Sequence, residues 1–216
     1  MNIGIILSGG TGTRFGSQVP KQYQRIQGRE VIDFSIEALM GSSAIHKIIV
    51  VAQESVKSKL IERYPIMYVE GGETRNKSLK NALNFINSTY LCDKIIVLEA
   101  ARPMVTSSII DLYLSKLDIY DAVITGQKIV DSLGTYSNHI TNREDYYLIQ
   151  APEAFIFQKL YNSFDEDSKI TATNQQMPIG SKLFINFDFK DNYKITYPQD
   201  LKYIESMMDK RKNENI

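Results

Sequence analysis

Short apolar runs recur along this chain and alternate with segments that carry apolar residues at helical spacing. A short apolar run bounded by glycine, proline or polar residues is typical of a strand buried on both faces of a parallel sheet. Such runs predict strands at 3–7, 47–52, 66–69, 94–98 and 121–125. The amphipathic segments predict helices around 31–41, 53–63, 75–88, 106–117 and 198–212. Strands that alternate with helices favour an α/β fold with a mostly parallel sheet covered on both faces.

The alternation of strands and helices stops between residues 126 and 150. This segment is polar, contains glycine and asparagine, and shows little sign of a core helix. We expect it to form an arm or β-hairpin that leaves the sheet. The chain shows no linker or internal repeat, so residues 1–216 are expected to form a single domain.

Composition and charge exclude several classes of protein. The 25 basic and 25 acidic side chains cancel, so no global field attracts nucleic acid or an anionic membrane. A single cysteine, Cys92, rules out an intramolecular disulfide and suits a reducing compartment. The two histidines lie far apart, and no apolar run approaches the ~20 residues of a membrane span. We therefore expect a soluble cytoplasmic protein.

The sequence LSGGTGTRFGSQVPKQY, which follows the first predicted strand, is the strongest local signal. Its glycines at Gly9, Gly10 and Gly12 allow the backbone to approach a ligand and present N–H groups to phosphate oxygens. Arg14 and Lys21 add positive charge. The loop matches neither the Walker motif nor the dinucleotide motif. The alternative interpretation is a flexible loop whose glycines serve only the turn.

Two further polar stretches follow predicted strands. In EGGETRNKS, glycines and Ser78 stand at a strand-to-helix junction that suits a hydroxyl or phosphate ligand, although Thr74 as a helix N-cap would also explain it. In LEAARP, Glu99 can hold Mg²⁺ between nucleotide phosphates, although a Glu99–Arg102 ion pair would also explain it. Because ligands bind beyond the carboxyl ends of strands in open α/β sheets, we expect all three stretches to meet at one edge.

Taken in order, the motifs resemble those of the CTP:polyol-phosphate cytidylyltransferases. This family includes methylerythritol-phosphate enzymes of isoprenoid synthesis and ribitol-phosphate enzymes of cell-wall or capsule polysaccharide synthesis. The resemblance extends from residue 3 to about 205. Its motifs are the glycine-rich loop ending in PKQ, GGETRNKS, AARP, NR…QAPEAF and NYKITYPQDL.

The resemblance implies a doubly wound, Rossmann-like sheet and an arm that swaps into the partner of a homodimer. It implies that one group of residues binds the nucleotide: Leu7, Ser8, Gly9, Gly10, Thr11, Gly12, Gly72, Glu73, Arg75, Ser78, Ala100 and Ala101. The implied catalytic cations are Arg14, Lys21, Arg143 and Lys194. The acceptor would contact Arg102, Thr171 and Arg143 from the partner's arm, and Glu99 and Asp191 would hold Mg²⁺.

The implied reaction is transfer of CMP from CTP to the phosphate of a small polyol phosphate. An acceptor phosphate oxygen attacks the α-phosphorus in line, and pyrophosphate leaves. The nucleophile is already an anion, so catalysis needs positioning and electrostatic stabilisation and no general base.

The chain departs from the family pattern at four places. Glu99 replaces an aspartate, Ala151-Pro152-Glu153 replaces Thr-Pro-Gln, Ala172 replaces an aspartate, and the arm looks shorter. Three alternatives remain: a different phosphorylated acceptor, a sugar nucleotidyltransferase that uses UTP or another NTP, and a non-catalytic nucleotide-binding relative.

Overall fold

The computed structural model describes residues 1–10, 12, 15–137 and 139–214. The strands are β1 Asn2–Leu7, β2 Arg25–Ile26, β3 Arg29–Glu30, β4 Lys47–Ala52, β5 Met67–Glu70, β6 Lys94–Glu99, β7 Ala122–Lys128, β8 Tyr147–Ile156 and β9 Leu183–Asn186. The helices are α1 Val31–Met40, α2 Lys57–Arg63, α3 Arg75–Thr89, α4 Ser107–Lys116, α5 Phe157–Ser163 and α6 Gln199–Glu214. No helix in the described ranges is long and apolar enough to cross a membrane.

The main sheet has the strand order β5-β4-β1-β6-β8-β7-β9. Neighbouring strands run parallel from β5 to β6 and between β7 and β9, whereas β8 runs antiparallel to both β6 and β7. The chain moves from β1 outward to β4 and β5, and then returns to place β6 on the other side of β1. This reversal creates a topological switch point between β1 and β6, where open α/β sheets bind their ligands.

The central strands β1, β4 and β6 are buried on both faces, as their continuous apolar runs predicted, whereas β5 is only partly buried. Side chains alternate across β1, so Ile5 packs with Leu79 and Leu83 of α3, while Ile6 packs on the opposite face in the cluster that contains Ile36 of α1. The predicted α/β fold with a parallel-dominated sheet is therefore confirmed.

Most predicted elements match observed ones within a few residues, and the differences have clear local causes. The helix predicted at 53–63 begins with a 3-10 turn, Glu54–Val56, before α2. The sequence prediction contains no strand at β8, because Pro152 and Glu153 interrupt its apolar pattern. β8 nevertheless lies in the interior of the sheet, between β6 and β7.

The arm begins as an extension of the β7–β8 pair. These strands remain paired out to Lys128 and Tyr147, and a register shift between Ile124 and Thr125 lets the pair bend away from the sheet. Beyond the pair, large apolar side chains such as Val130 and Ile140 are exposed. The use of this arm in a dimer stays a prediction.

Candidate active site

A cleft of about 310 Å³ opens at the carboxyl ends of β1 and β6. Leu7 and Glu99, the last residues of these strands, are register partners. The cleft is lined by Leu7, Ser8, Gly9, Gly10, Lys21, Gln22, Gly72, Glu73, Thr74, Arg75, Ser78, Glu99, Ala100, Ala101 and Lys194. Thirteen of the sequence-predicted site residues thus lie around a single space, as the strand order requires.

The 3-10 turn Lys21–Tyr23 contacts the residues that directly follow β1. Gln22 Nε2 donates hydrogen bonds to the carbonyl oxygens of Ser8 at 2.7 Å and Gly10 at 2.8 Å. The hydroxyls of Ser8 and Tyr23 lie 3.0 Å apart. Gly12 adopts a φ of +69°, which glycine tolerates best, and lies outside the cleft lining described above. The predicted site residues Thr11 and Arg14 lie outside the described residues.

The first turn of α3 forms the opposite wall. Thr74 is the N-cap, and its hydroxyl accepts a hydrogen bond from the Lys77 N–H at 3.1 Å. Buried Ser78 accepts a hydrogen bond from the Gly72 N–H at 3.0 Å. The prediction that Thr74 caps the helix is therefore correct. The same turn also lines the cleft through Gly72 and Ser78, so capping does not exclude ligand binding.

Glu99 lies at the centre of a cluster of cations. Its Oε2 atom lies 2.8 Å from Lys194 Nζ and 3.1 Å from Arg102 Nε. Its Oε1 atom lies 3.8 Å from Arg75 Nε. Burial opposes ionisation of this carboxyl, but the three cations outweigh burial and lower the pKa of Glu99 from 4.5 to about 2. Glu99 is therefore a permanent anion in the cleft at neutral pH.

Arg75 connects this cluster to a second carboxylate that sequence reasoning noted only as a departure. Arg75 Nη2 lies 3.4 Å from buried Glu153, and Nη1 donates hydrogen bonds of 2.9 Å to the Thr171 carbonyl and to Thr173 Oγ1. Glu153 also accepts a hydrogen bond from the Asn174 N–H at 3.1 Å. Burial raises the pKa of the Glu153 carboxyl. Glu153 and Arg75 thus both contact the segment that precedes β9.

Lys21 and Lys194 come from opposite ends of the chain and meet at the cleft. Lys21 Nζ donates a hydrogen bond of 2.7 Å to the Ile195 carbonyl, and the Ile195 N–H donates one of 2.9 Å to the Ala101 carbonyl. Lys194 lies in an irregular segment between β9 and α6. These hydrogen bonds connect the PKQ turn, the end of β6 and the Lys194 segment directly.

Besides Gly12, four predicted residues in the described part of the chain lie outside the cleft lining. Arg102 is buried behind Glu99, where Nη1 donates a 2.6 Å hydrogen bond to the Asn192 carbonyl. Thr171 contributes its carbonyl to Arg75, and its side chain is exposed. Asp191 lies 3.7 Å from Arg211 of α6. Arg143 is on the arm, where it donates a hydrogen bond to the Val130 carbonyl. Their predicted roles stay predictions.

The carboxylates of the cleft fit a magnesium ion only with help from a substrate. Among the described residues, no cluster of three or more histidine, cysteine or acidic side chains is arranged to hold a metal. Glu99 is ionised and lines the cleft, whereas Asp191 does not. Mg²⁺ commonly binds one or two carboxylates and takes its other ligands from substrate phosphates and water. Glu99 satisfies that pattern, and Asp191 in this arrangement does not.

Comparison with known proteins identifies the family of this chain. The model of the family "IspD: 2-C-methyl-D-erythritol 4-phosphate cytidylyltransferase" matches residues 3–210. The chain belongs to this family. The predicted resemblance to CTP:polyol-phosphate cytidylyltransferases is thereby confirmed.

Individual relatives of this IspD-family chain carry two kinds of name. A 2-C-methyl-D-erythritol 4-phosphate cytidylyltransferase of Thermotoga neapolitana is 28% identical over 93% of the chain and 94% of its own length. The bifunctional ribulose 5-phosphate reductase/CDP-ribitol pyrophosphorylase Bcs1 of Haemophilus influenzae is 31% identical over 76% of the chain and 37% of its own length. The solved 4-diphosphocytidyl-2C-methyl-D-erythritol synthase of Anaerococcus prevotii superposes with a TM-score of 0.82 over 96% of each chain at 21% identity, which supports the fold.

Sequence reasoning missed two residues that shape the site. Gln22 was noted only as part of the PKQ motif, and its amide role depends on loop carbonyls that no pattern reveals. Glu153 was noted as an added acid, but its partner Arg75 is 78 positions away in sequence. A buried-strand prediction for β8 would have flagged Glu153 as a carboxylate in need of a cation.

Proposed function

We propose that the protein transfers CMP from CTP to the phosphate of a small polyol phosphate, giving a CDP-polyol and pyrophosphate. The observation that carries this proposal is the convergence of Lys21, Lys194 and ionised Glu99 beside the glycine-rich loop. These residues come from the start, middle and end of the chain. Family membership supports the same reaction.

The cleft offers the electrostatics that this reaction needs. Attack on the α-phosphorus concentrates negative charge on the phosphoryl oxygens and on the leaving pyrophosphate. Lys21 and Lys194 supply positive charge in the same space, and the N-terminus of α3 adds the positive end of a helix dipole. An attacking phosphate oxygen is already an anion, so these groups bind and orient the reactants without removing a proton.

Glu99 is the residue that we propose to hold Mg²⁺ when CTP is bound. The ion would neutralise triphosphate charge and help orient the leaving group. Glu99 is now balanced by Lys194 at 2.8 Å, so an incoming triphosphate offers this lysine an alternative anionic partner. Glu99 would then be released to the metal.

For the acceptor, we propose 2-C-methyl-D-erythritol 4-phosphate or a ribitol 5-phosphate-like polyol phosphate. The family name and the Thermotoga relative support the first, and the Haemophilus relative supports the second. The corresponding pathways would be isoprenoid synthesis or polysaccharide synthesis in the cytoplasm. Ala172, next to Thr171, and Glu153, which contacts Arg75, depart from the usual pattern, so acceptor choice is the property to measure first.

We also propose that the active form is a homodimer in which each arm reaches the partner's cleft. Exposed Val130, Tyr136 and Ile140 give the arm an apolar surface of the kind that interfaces cover. The arm's Arg143 is half-exposed and would then be delivered to the acceptor phosphate. Sedimentation of the protein, alone and with Ile140→Asp, tests this: the variant should shift toward monomer and lose activity.

A pyrophosphate-release assay tests the proposed reaction. The protein is incubated with Mg²⁺, each of the four common NTPs and a panel of polyol phosphates. We expect release with CTP and one polyol phosphate. Release only with UTP and a sugar phosphate would replace the proposal with a sugar nucleotidyltransferase, and no release with any pair would favour a binding protein.

Variants then test the assigned residues. We expect Lys21→Ala and Lys194→Ala each to lower turnover by on the order of 10²-fold or more, because each removes a charge from the site of developing negative charge. Lys210→Ala is the control, since Lys210 is an exposed lysine of α6 outside the cleft lining. A near-normal rate for Lys21→Ala would refute its role.

A further inference from the structure

A buried glutamine side chain is hydrogen-bonded to the backbone of the glycine-rich loop. Gln22 is 4% exposed, and its amide nitrogen contacts the Ser8 and Gly10 carbonyl oxygens at 2.7 and 2.8 Å. A side-chain amide has two N–H donors, so both are used. Both acceptors belong to the loop that follows β1.

These hydrogen bonds fix the direction of the loop's peptide groups. In a planar trans peptide, the carbonyl of one residue and the N–H of the next point in opposite directions. Because the Ser8 carbonyl points at the Gln22 amide, the Gly9 N–H points away from it. Gly9 and Gly10 both line the cleft. Oriented backbone N–H groups of this kind bind phosphate oxygens.

We propose that Gln22 is a positioning residue, which sets the glycine-rich loop in the conformation that binds the phosphates of the nucleotide. This inference rests on the proposed function, because the ligand it assigns to the loop is CTP. It adds a residue that acts through the backbone and not by charge.

The neighbours of Gln22 explain why the loop needs a separate support. Lys21 holds the Ile195 carbonyl and Tyr23 lies against the Ser8 hydroxyl, so three consecutive residues each fix a different part of the site. Gln22 contacts the loop carbonyls through two side-chain hydrogen bonds. Without it, the glycines leave the loop free to rotate its peptides.

Three substitutions separate this role from simple packing. Gln22→Glu keeps the shape but places a carboxylate oxygen against two carbonyl oxygens, whereas Gln22→Met keeps the length and removes the donors. Gln24→Glu is the matched control. Its amide donates to the Val19 carbonyl at 2.8 Å, and neither Gln24 nor Val19 contacts the Ser8 or Gly10 carbonyl or lines the cleft.

The measurements are kcat, KM for each substrate, melting temperature and the Kd of CTP by calorimetry. We expect Gln22→Glu to raise KM and Kd for CTP by about 10- to 100-fold, Gln22→Met to raise them less, and both to leave KM for the acceptor nearly unchanged. Gln24→Glu should match the wild type. Lost packing alone would not separate the two substrates.

The proposal fails if Gln22→Glu binds CTP as well as wild type does, or if both substrates weaken equally. It also fails if the wild type does not bind CTP. Wild-type protein that binds CTP but releases no pyrophosphate with any acceptor would refute the proposed reaction alone. In that case the Kd values of wild type and Gln22→Glu still decide the role of Gln22, even if Gln22→Met folds poorly.

Discussion

Two glycines of the cleft provide a test of how rigidly its walls are placed. A Cβ atom added at Gly72 would lie 2.5 Å from Lys77 Cβ, 2.9 Å from Lys77 C and 3.1 Å from the Ser78 nitrogen. The last two are backbone atoms of α3. A Cβ atom at Gly10 would meet no atom of the described residues within 4 Å, its chain neighbours aside. Alanine should therefore destabilise the free protein at Gly72 and leave its stability nearly unchanged at Gly10.

The structure gives the size of the effect at Gly72. Ordinary contact begins near 3.4 Å, so Lys77 C must move by about 3.4 − 2.9 = 0.5 Å and Lys77 Cβ by about 3.4 − 2.5 = 0.9 Å. Overpacking of this kind costs about 1–3 kcal/mol of unfolding free energy. Because a 1 Å misplacement can lower a rate by about 10²-fold, we expect Gly72→Ala to reduce kcat/KM for CTP by 10- to 100-fold.

Urea unfolding and steady-state kinetics of both variants test this expectation. Gly10→Ala should keep the unfolding free energy within about 0.5 kcal/mol of wild type. Any loss of activity in Gly10→Ala then reports a ligand that occupies the space next to Gly10. Lys210→Ala, at an exposed position of α6 outside the cleft lining, is the control for both assays. Wild-type stability and activity in Gly72→Ala would show that the first turn of α3 adjusts freely, and would refute the reasoning.

Three other substitutions test the electrostatics in urea unfolding with EDTA. Lowering of the Glu99 pKa from 4.5 to about 2 corresponds to about 3 kcal/mol of unfolding free energy. This stabilisation is present above pH 4.5 and is lost as the pH falls toward 2. Glu99→Gln should therefore be destabilised by about that amount at pH 7 and much less at pH 3. Burial raises the pKa of Glu153, so its ionised form costs stability, and Glu153→Gln should gain stability at pH 7 and lose that gain in acid; equal, pH-independent losses in both variants would contradict this. Arg63→Met removes a guanidinium that lies 2.7 Å from each of the buried carboxylates Glu30 and Asp33. The loss should cost about 2 kcal/mol of unfolding free energy, below the range for fully buried pairs because Arg63 is partly exposed. An unchanged urea midpoint would show that these ion pairs do not stabilise the protein.

The fold was predictable because its signals are local. The apolar runs that became β1, β4 and β6 are continuous, and their bounds differ from prediction by one residue at most. Thr74 was recognisable as an N-cap for a similar reason, since a cap depends on residues within one turn. Strand order then brought the polar ends of these strands together, as parallel sheets require.

The parts that could not be predicted depend on contacts between distant residues. β8 carries Pro152 and Glu153, and only its place between β6 and β7 reveals why a strand forms there. Buried Glu153 is paired with Arg75, and Lys194 is paired with Glu99 in the cleft. No spacing rule connects such pairs, because the separation in sequence is set by the topology of the whole sheet.

The hydrogen bonds from Lys21 to the Ile195 carbonyl and from the Ile195 N–H to Ala101 have a consequence for synthesis of the chain on the ribosome. Domains acquire structure from the N-terminus as they emerge, so the sheet around β1, β4 and β6 can be assembled while the segment that carries Lys194 is still being translated. Until that segment docks, Glu99 lacks its nearest cation. The enzyme's charge balance is therefore established at the end of translation, and a product truncated before residue 190 would retain much of the apolar core without a competent site.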